Sequence, residues 1–228
     1  MSGAKALRVV LEIGKKRRVA AGATDWPGLD RWGTSEDGAL ERLAAYLPRY
    51  AVIAERAGLA EAFDEGADLV VVERVPGSSS TDWWGVAHVP SQIEAEVLAP
   101  EQLERRLTLL QATWDHFHEI ATRASEPLRL GPRGGGRSRD EIVRHVYASE
   151  RHNWWRKVGI REDDSVRLTP EELALHRVRY LDAIRAFNAD GRRARAWPIQ
   201  FLIRRTAQHA LDHAWEIEDR DASRQRDR

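Results

Sequence analysis

The chain of 228 residues contains no cysteine. Disulfides, thiolate metal ligands and a cysteine nucleophile are therefore all excluded. It also lacks a net charge, because 36 Lys and Arg balance 36 Asp and Glu. General nucleic-acid binding needs a net basic face that displaces counterions, so no nucleic acid is expected as a partner. No window approaches the ~18 apolar residues of a membrane span, and no membrane association is expected. The apolar stretch Leu7–Ile13 is interrupted by Arg8 and Glu12 and runs into Lys15–Arg18 rather than a small-residue cleavage site. A secretory leader is therefore not expected, and the cytoplasm is the expected compartment. No internal repeat is present.

What the chain does have is an apolar fraction of 42% beside 32% charged residues, ordinary for a globular protein. Residues 7–13 and 17–24 are rich in β-branched residues and flank Gly14-Lys15-Lys16, which predicts a hairpin. Asp25-Trp26-Pro27-Gly28 supplies turn chemistry, and Thr34 or Ser35 can cap a helix carrying Ala39, Leu40, Leu43, Ala44, Leu47 and Tyr50. A strand over Leu69–Val75 closes this α/β module, expected to span residues 1–76. Residues 77–99 read as a connecting segment. Its adjacent Trp83 and Trp84 are expected to dock on a neighbouring domain, with a role in a binding mouth as the alternative.

From Pro100 the pattern changes to long helices. Leu103, Leu107, Leu110, Trp114, Phe117 and Ala121 form one apolar stripe. Gly131–Gly136 reads as a loop. Ser138-Arg139-Asp140-Glu141 is a capping box that opens a helix through Val158. Thr169-Pro170-Glu171-Glu172 starts a third helix, with Ala174, Val178, Leu181 and Ile184 on its stripe, and Pro198 opens a fourth running to about Asp219. The fold class is therefore α+β, with a four-helix bundle over residues 100–222 and a charged tail at 223–228 expected to fray.

His209 and His213 are four apart on the last helix and share a face with Leu202, Thr206 and Ile217. Both imidazoles are therefore expected to point into the bundle. Two imidazoles buried together without a partner are costly. A divalent metal satisfies both at once. Such a pair also arises on ordinary surface helices, so the reading leans on a third ligand. His145 lies with Ile142, Val146 and Ser149 on the inner face of the second helix. Three histidines with an open position match catalytic rather than structural metal sites. That position would hold a water or a substrate heteroatom.

The other histidines compete. His152 shares the face of His145 and is expected to be a packed core histidine, with second-shell partner or substitute ligand as alternatives. Of His116 and His118, the second sits more comfortably with Trp114 and Phe117. His88 and His176 read as surface or hydrogen-bonded residues. Glu216 follows His213 by three and can reach the site, whereas Asp212 points elsewhere. Glu150 can accept a proton from a ligating imidazole or bind Arg204 or Arg205. Trp154, Trp155, Trp197 and Trp215 read mainly as core and interface mass.

Over residues 100–220 the chain resembles the DinB-like helical bundles, the DinB/YfiT superfamily. The segment GGRSRDEIVRHVYASERHNWWRKVG resembles their second helix, and HALDHAWEIEDR resembles their HxxxH final helix. The resemblance implies that His145, His209 and His213 take the family's metal-ligand positions, with Zn or Ni as the usual ion. It further implies a metal-dependent thiol transferase or hydrolase acting on a small-molecule substrate. Relatives of this kind use bacillithiol or mycothiol, and with no cysteine in the chain a low-molecular-weight thiol would come from a cosubstrate. Bundles often pair, so a homodimer fits the reading. DWPGLDRWGTSEDGALERLAAYLPRY in the N-terminal part resembles the HicB-like module, departing from its pattern at Gly38 and Leu40. That resemblance implies the alternative function: a non-catalytic binding or stress-associated interaction protein whose HicB-like module recognises a protein partner.

Overall fold

The computed structural model describes residues 6–130, 135–161 and 169–222. The expected tail at 223–228, and residues 131–134 of the expected loop, lie outside the described residues. The chain is α+β. Its elements run β1 (Leu7–Ile13), β2 (Val19–Ala23), β3 (Asp30–Gly33), α1 (Glu36–Ala44), α2 (Leu47–Arg56), β4 (Leu69–Pro76), α3 (Ser79–Trp84), α4 (Pro100–Arg123), α5 (Arg139–Ser149), α6 (Pro170–Ala189) and α7 (Ile199–Arg220).

The four strands form a mixed sheet in the order β3-β2-β1-β4. The hairpin expected at Gly14-Lys15-Lys16 pairs β1 with β2 antiparallel, β3 extends the sheet antiparallel to β2, and β4 joins β1 in parallel. β3 is an addition to the sequence reading. Its four residues, Asp-Arg-Trp-Gly, carry little strand propensity, and it forms because Val19 to Gly22 of β2 supply its ladder. The single helix expected over residues 39–50 is two. Pro48 has no N–H to continue the ladder and its ring clashes with the preceding turn, so the chain breaks at Ala45 and Tyr46 and restarts as α2. Ser35 caps α1 by accepting from the Gly38 N–H at 3.0 Å.

Helices α4 to α7 gather around one apolar core. Leu107, Leu110, Trp114 and Phe117 of α4 meet Ile142 and Val146 of α5, Tyr180 and Ile184 of α6, and Phe201 and Leu202 of α7. Both capping boxes form: Glu141 N–H donates to Ser138 Oγ at 3.3 Å, and Glu172 N–H to Thr169 Oγ1 at 3.2 Å. The α-helix expected to reach Val158 ends at Ser149, and a π turn over Glu150–Trp154 and a 3-10 turn over Trp155–Val158 complete it.

A second core lies under the sheet, where Val9, Leu11, Ala21 and Ala23 pack on Leu43, Tyr50 and Ile53 of α1 and α2. Leu109 and Ala112 of α4, with Leu211 and Trp215 of α7, belong to this second core. Helices α4 and α7 are thus buried on two faces, which is why α7 has no solvent-facing stripe from Ile199 to Gln208. The two-sided burial corrects one assignment. His116, on the same α4 face as Leu109 and Ala112, is buried, and His118 is exposed.

The register of α6 also differs from its apolar stripe. Val178 is exposed, and Leu173, His176, Tyr180 and Ile184 face inward. Polar residues take inner positions because each has a partner there. His176 is buried rather than on the surface and stacks on Trp155 with ring centroids 5.1 Å apart. Arg177 binds Glu150 at 2.7 Å, so Glu150 is buried in an ion pair with Arg177 and serves neither a ligating histidine nor Arg204 or Arg205. Among the described residues, no helix is long and apolar enough to cross a membrane.

The connecting segment is pinned to the sheet by Glu12 of β1, which is buried and accepts from the Thr81 hydroxyl and from the His88 and Val89 N–H groups at 2.7 and 2.8 Å. Trp83 and Trp84 do not dock on a domain as expected: they are 63% and 72% exposed. Capping by Ser78 and the left-handed Gly85 wind α3 so that Thr81 faces inward and the tryptophans outward.

Candidate metal centre

Helix α7 presents His209 and His213 one turn apart, and α5 brings His145 against them. The His209 and His145 Nε2 atoms are 3.2 Å apart. The three ring centroids are separated by 5.1, 4.9 and 4.8 Å. Each imidazole offers one nitrogen, and the three nitrogens lie within 4.8 Å of one another. Two imidazoles bound tetrahedrally to zinc at ~2.0–2.1 Å place their nitrogens roughly 3.3 Å apart. The His145–His209 separation of 3.2 Å is close to that value and is also a hydrogen-bond distance between the two rings.

Burial favours the neutral forms of His209 and His145. Burial holds the His209 pKa well below the usual histidine range, and the neighbouring His213 and His145, with Arg205 and Arg137, push the same way. Burial lowers His145 as well, with His213 and Arg137 adding to it. Neutral imidazole is the ligating form. Glu216 Oε2 lies 2.8 Å from His213 Nδ1. An ionised carboxylate only accepts, so His213 Nδ1 is the donor, and in the neutral ring Nε2 is the nitrogen left to ligate. Burial works to raise the Glu216 pKa, but the hydrogen bond and charge of His213, with Arg137 and Arg220, bring it below the ordinary carboxylate value. Glu216 is itself held by Arg220 at 2.9 Å. Such outer acceptors orient ligating histidines and raise their basicity. The donor set fits a divalent metal.

Glu216→Gln would replace this acceptor with a neutral amide, and should weaken metal binding about 10- to 100-fold. Competitive titration against a metal-chelating dye measures it. An affinity within about twofold of the parent would mean that Glu216 does not orient His213.

The site does not lie deep between the helices, as the sequence predicts, but at their edge. His145 is exposed and the other two rings are half-buried. They border a cleft of about 890 Å³ whose walls include Trp84 and His88 from the connecting segment, Trp154 and Lys157 after α5, Trp197, and Arg205 of α7. Trp84 lines this cleft. His152 is exposed on the cleft wall and not packed in the core. Asp212 is held away from the ligands by Arg31 at 2.5 Å and by Gln208. His118 lines a separate groove with Gln111, Asp115 and Arg177.

The cleft residue most open to sequence reasoning is Arg205, because the spacing 205, 209, 213 marks one helix face. Trp84, Lys157 and Trp197 come from three separate loops or short turns, and no periodicity links them. No family model, no curated protein and no solved structure matches this chain.

Proposed function

We propose that the protein binds one divalent metal ion, Zn or Ni, through His145, His209 and His213, and uses it as a DinB-like thiol transferase or hydrolase on a small molecule. The observation that carries this reading is the convergence of three imidazole nitrogens within 4.8 Å of one another at the wall of an open cleft. Three protein ligands beside open space fit a catalytic centre better than a closed structural one. The reading also draws support from the four helices around one core, with ligands on the second and fourth. A divalent ion in this position supplies Lewis acidity, which lowers the pKa of a water or an external thiol.

The chain's own groups have defined tasks. Glu216 accepts from His213 Nδ1, which leaves Nε2 of the neutral ring as the ligating nitrogen. Trp84 and Trp154 line the cleft together with the three histidines. With no cysteine in the chain, a thiol nucleophile comes from a cosubstrate.

Zinc- and nickel-loaded protein, given bacillithiol or mycothiol with a panel of aryl chlorides and epoxides, and separately given activated esters, tests the activity. Turnover in one of these sets is expected, and it should fall to background on chelation. A second reading is a non-catalytic binding protein whose HicB-like module meets a protein partner; the exposed pair Trp83 and Trp84, in the segment that follows the module, favours a protein contact there. Full metal loading without turnover in any set would leave that second reading in place of catalysis.

A further inference from the structure

Arg205 lies one turn before His209, so Arg205, His209 and His213 follow one another along α7 at intervals of ~6 Å. It is only 6% exposed. Its Nε and Nη1 nonetheless have no hydrogen-bond partner among the described residues. The preceding residue, Arg204, is the contrast, since Asp30 and Glu94 engage it fully. The carboxylates of Asp30, Asp212 and Glu12 act on Arg205 through their charge, but none hydrogen-bonds its Nε or Nη1: Asp30 Oδ1 is bonded to Arg204, and Asp212 to Arg31 and Gln208. Burial lowers the Arg205 pKa to about 10, which leaves it charged at neutral pH. Buried guanidinium N–H groups left without acceptors are unfavourable, and an oxyanion in the cleft would supply them.

The surroundings carry more positive than negative charge, and the acidic lining residue Asp212 is held by Arg31 and Gln208. Lys157 and Arg195 line the same cleft. Lys157 Nζ sits 3.7 Å above the Trp197 ring, and Trp197 stacks with Trp154 at 5.9 Å. The Arg205 guanidinium lies 5.8 Å from the Trp154 ring. Cations and flat apolar surfaces therefore share one wall, a turn of helix away from the histidines.

We propose that the cleft binds a small organic anion, a carboxylate or phosphate ester on a planar apolar body. Arg205 takes the anionic group with Lys157 and Arg195 around it. Trp154 and Trp197 take the body, and the reacting end reaches the three histidines. A guanidinium fork suits either oxyanion by paired N–H donors. The position of the reacting end rests on the metal-centre reading; the anion site itself does not.

The test uses metal-free, chelator-treated protein, so that no anion can bind through a metal. Benzoate, phenyl phosphate and neutral benzamide are titrated by tryptophan fluorescence and calorimetry. At least one anion should bind about tenfold or more tighter than benzamide, and the better of the two identifies the oxyanion. Arg205→Met should weaken that anion at least about tenfold, as loss of a charge-assisted hydrogen bond requires, while still taking up zinc. Arg205→Lys, which keeps the charge without the fork, should fall between. Should Arg205→Met fail to fold, Lys157→Met serves, with a smaller weakening of the same anion expected. Equal binding of benzamide and the anions overturns the proposal, as does unchanged anion affinity in the variants. Either result leaves zinc uptake as a separate measurement of the metal centre. Anion binding that persists in a protein unable to take up zinc would instead refute the metal reading alone.

Discussion

Replacing His209 and His213 together with alanine is expected to reduce divalent-metal content from about one ion per chain to background, as read by elemental analysis of purified protein. The size of the effect follows from the ligand count. His145 alone would remain, and one exposed imidazole does not retain an ion through purification. The substitution should be tolerated by the fold, because both rings stand half-buried at a cleft wall and the neighbouring α7 positions Ala210, Leu211 and Ala214 carry the packing. Loss of metal therefore need not reflect unfolding. The parent should show the linked effect. Metal at 100 times its Kd stabilises by about 2.7 kcal/mol, which for a chain of this size raises Tm by roughly 5–10 °C. The double variant should show no such rise. An unchanged metal content in the variant would remove the site.

Arg204→Ala is expected to destabilise the protein by about 3–5 kcal/mol, lowering Tm by roughly 6–20 °C. The Arg204 side chain is fully buried on α7, with Nε 2.7 Å from Glu94 Oε1 and Nη1 2.5 Å from Asp30 Oδ1. Burial acts against its charge, and the flanking Asp30 and Glu94 carboxylates more than offset that, so it stays protonated. Removing the guanidinium strands two buried carboxylates. The clamp ties β3, the turn over Ile93–Ala95 and α7 together, joining the sheet, the connecting segment and the helices. It also explains a glycine in β2: a Cβ at Gly22 would overlap the Arg204 guanidinium. Adding Asp30→Asn and Glu94→Gln to Arg204→Met should recover much of the loss, since no unpaired charge then remains. Denaturation of the single and triple variants measures both effects. A loss under about 1 kcal/mol in the single variant would mean that the triad does not hold these elements together.

The parts of the fold written in local pattern were legible in the sequence. The hairpin at Gly14-Lys15-Lys16, the boxes at Ser138 and Thr169, and the α4 stripe from Leu103 to Ala121 each depend on neighbours within a few residues. What escaped depends on distant partners. β3 has weak propensity and exists because β2 completes its ladder. A single amphipathic stripe implies one buried face and favours His118, whereas α4 packs on two faces and buries His116. The α6 face was displaced because His176 and Arg177 are polar and still inward, satisfied by Trp155 and Glu150.

The site divides in the same way. The three histidines can be found from HxxxH spacing plus one histidine on a capped helix, although His145 is exposed and not on the inner face. Their position at a cleft edge cannot, because the opposite wall is built from Trp84, Lys157 and Trp197. Glu216 was reachable as an i, i+3 neighbour of His213, and Arg205 as an i−4 neighbour of His209, but only the burial of Arg205 separates it from an ordinary surface arginine.

The central claim, a metal centre at His145, His209 and His213, is tested most directly by anomalous diffraction from crystals of zinc-loaded protein, with data collected on both sides of the zinc absorption edge. The account predicts one strong anomalous peak between the three imidazoles, with Glu216 still on His213 Nδ1. A map with no peak there, or with zinc bound only at other residues, would contradict it.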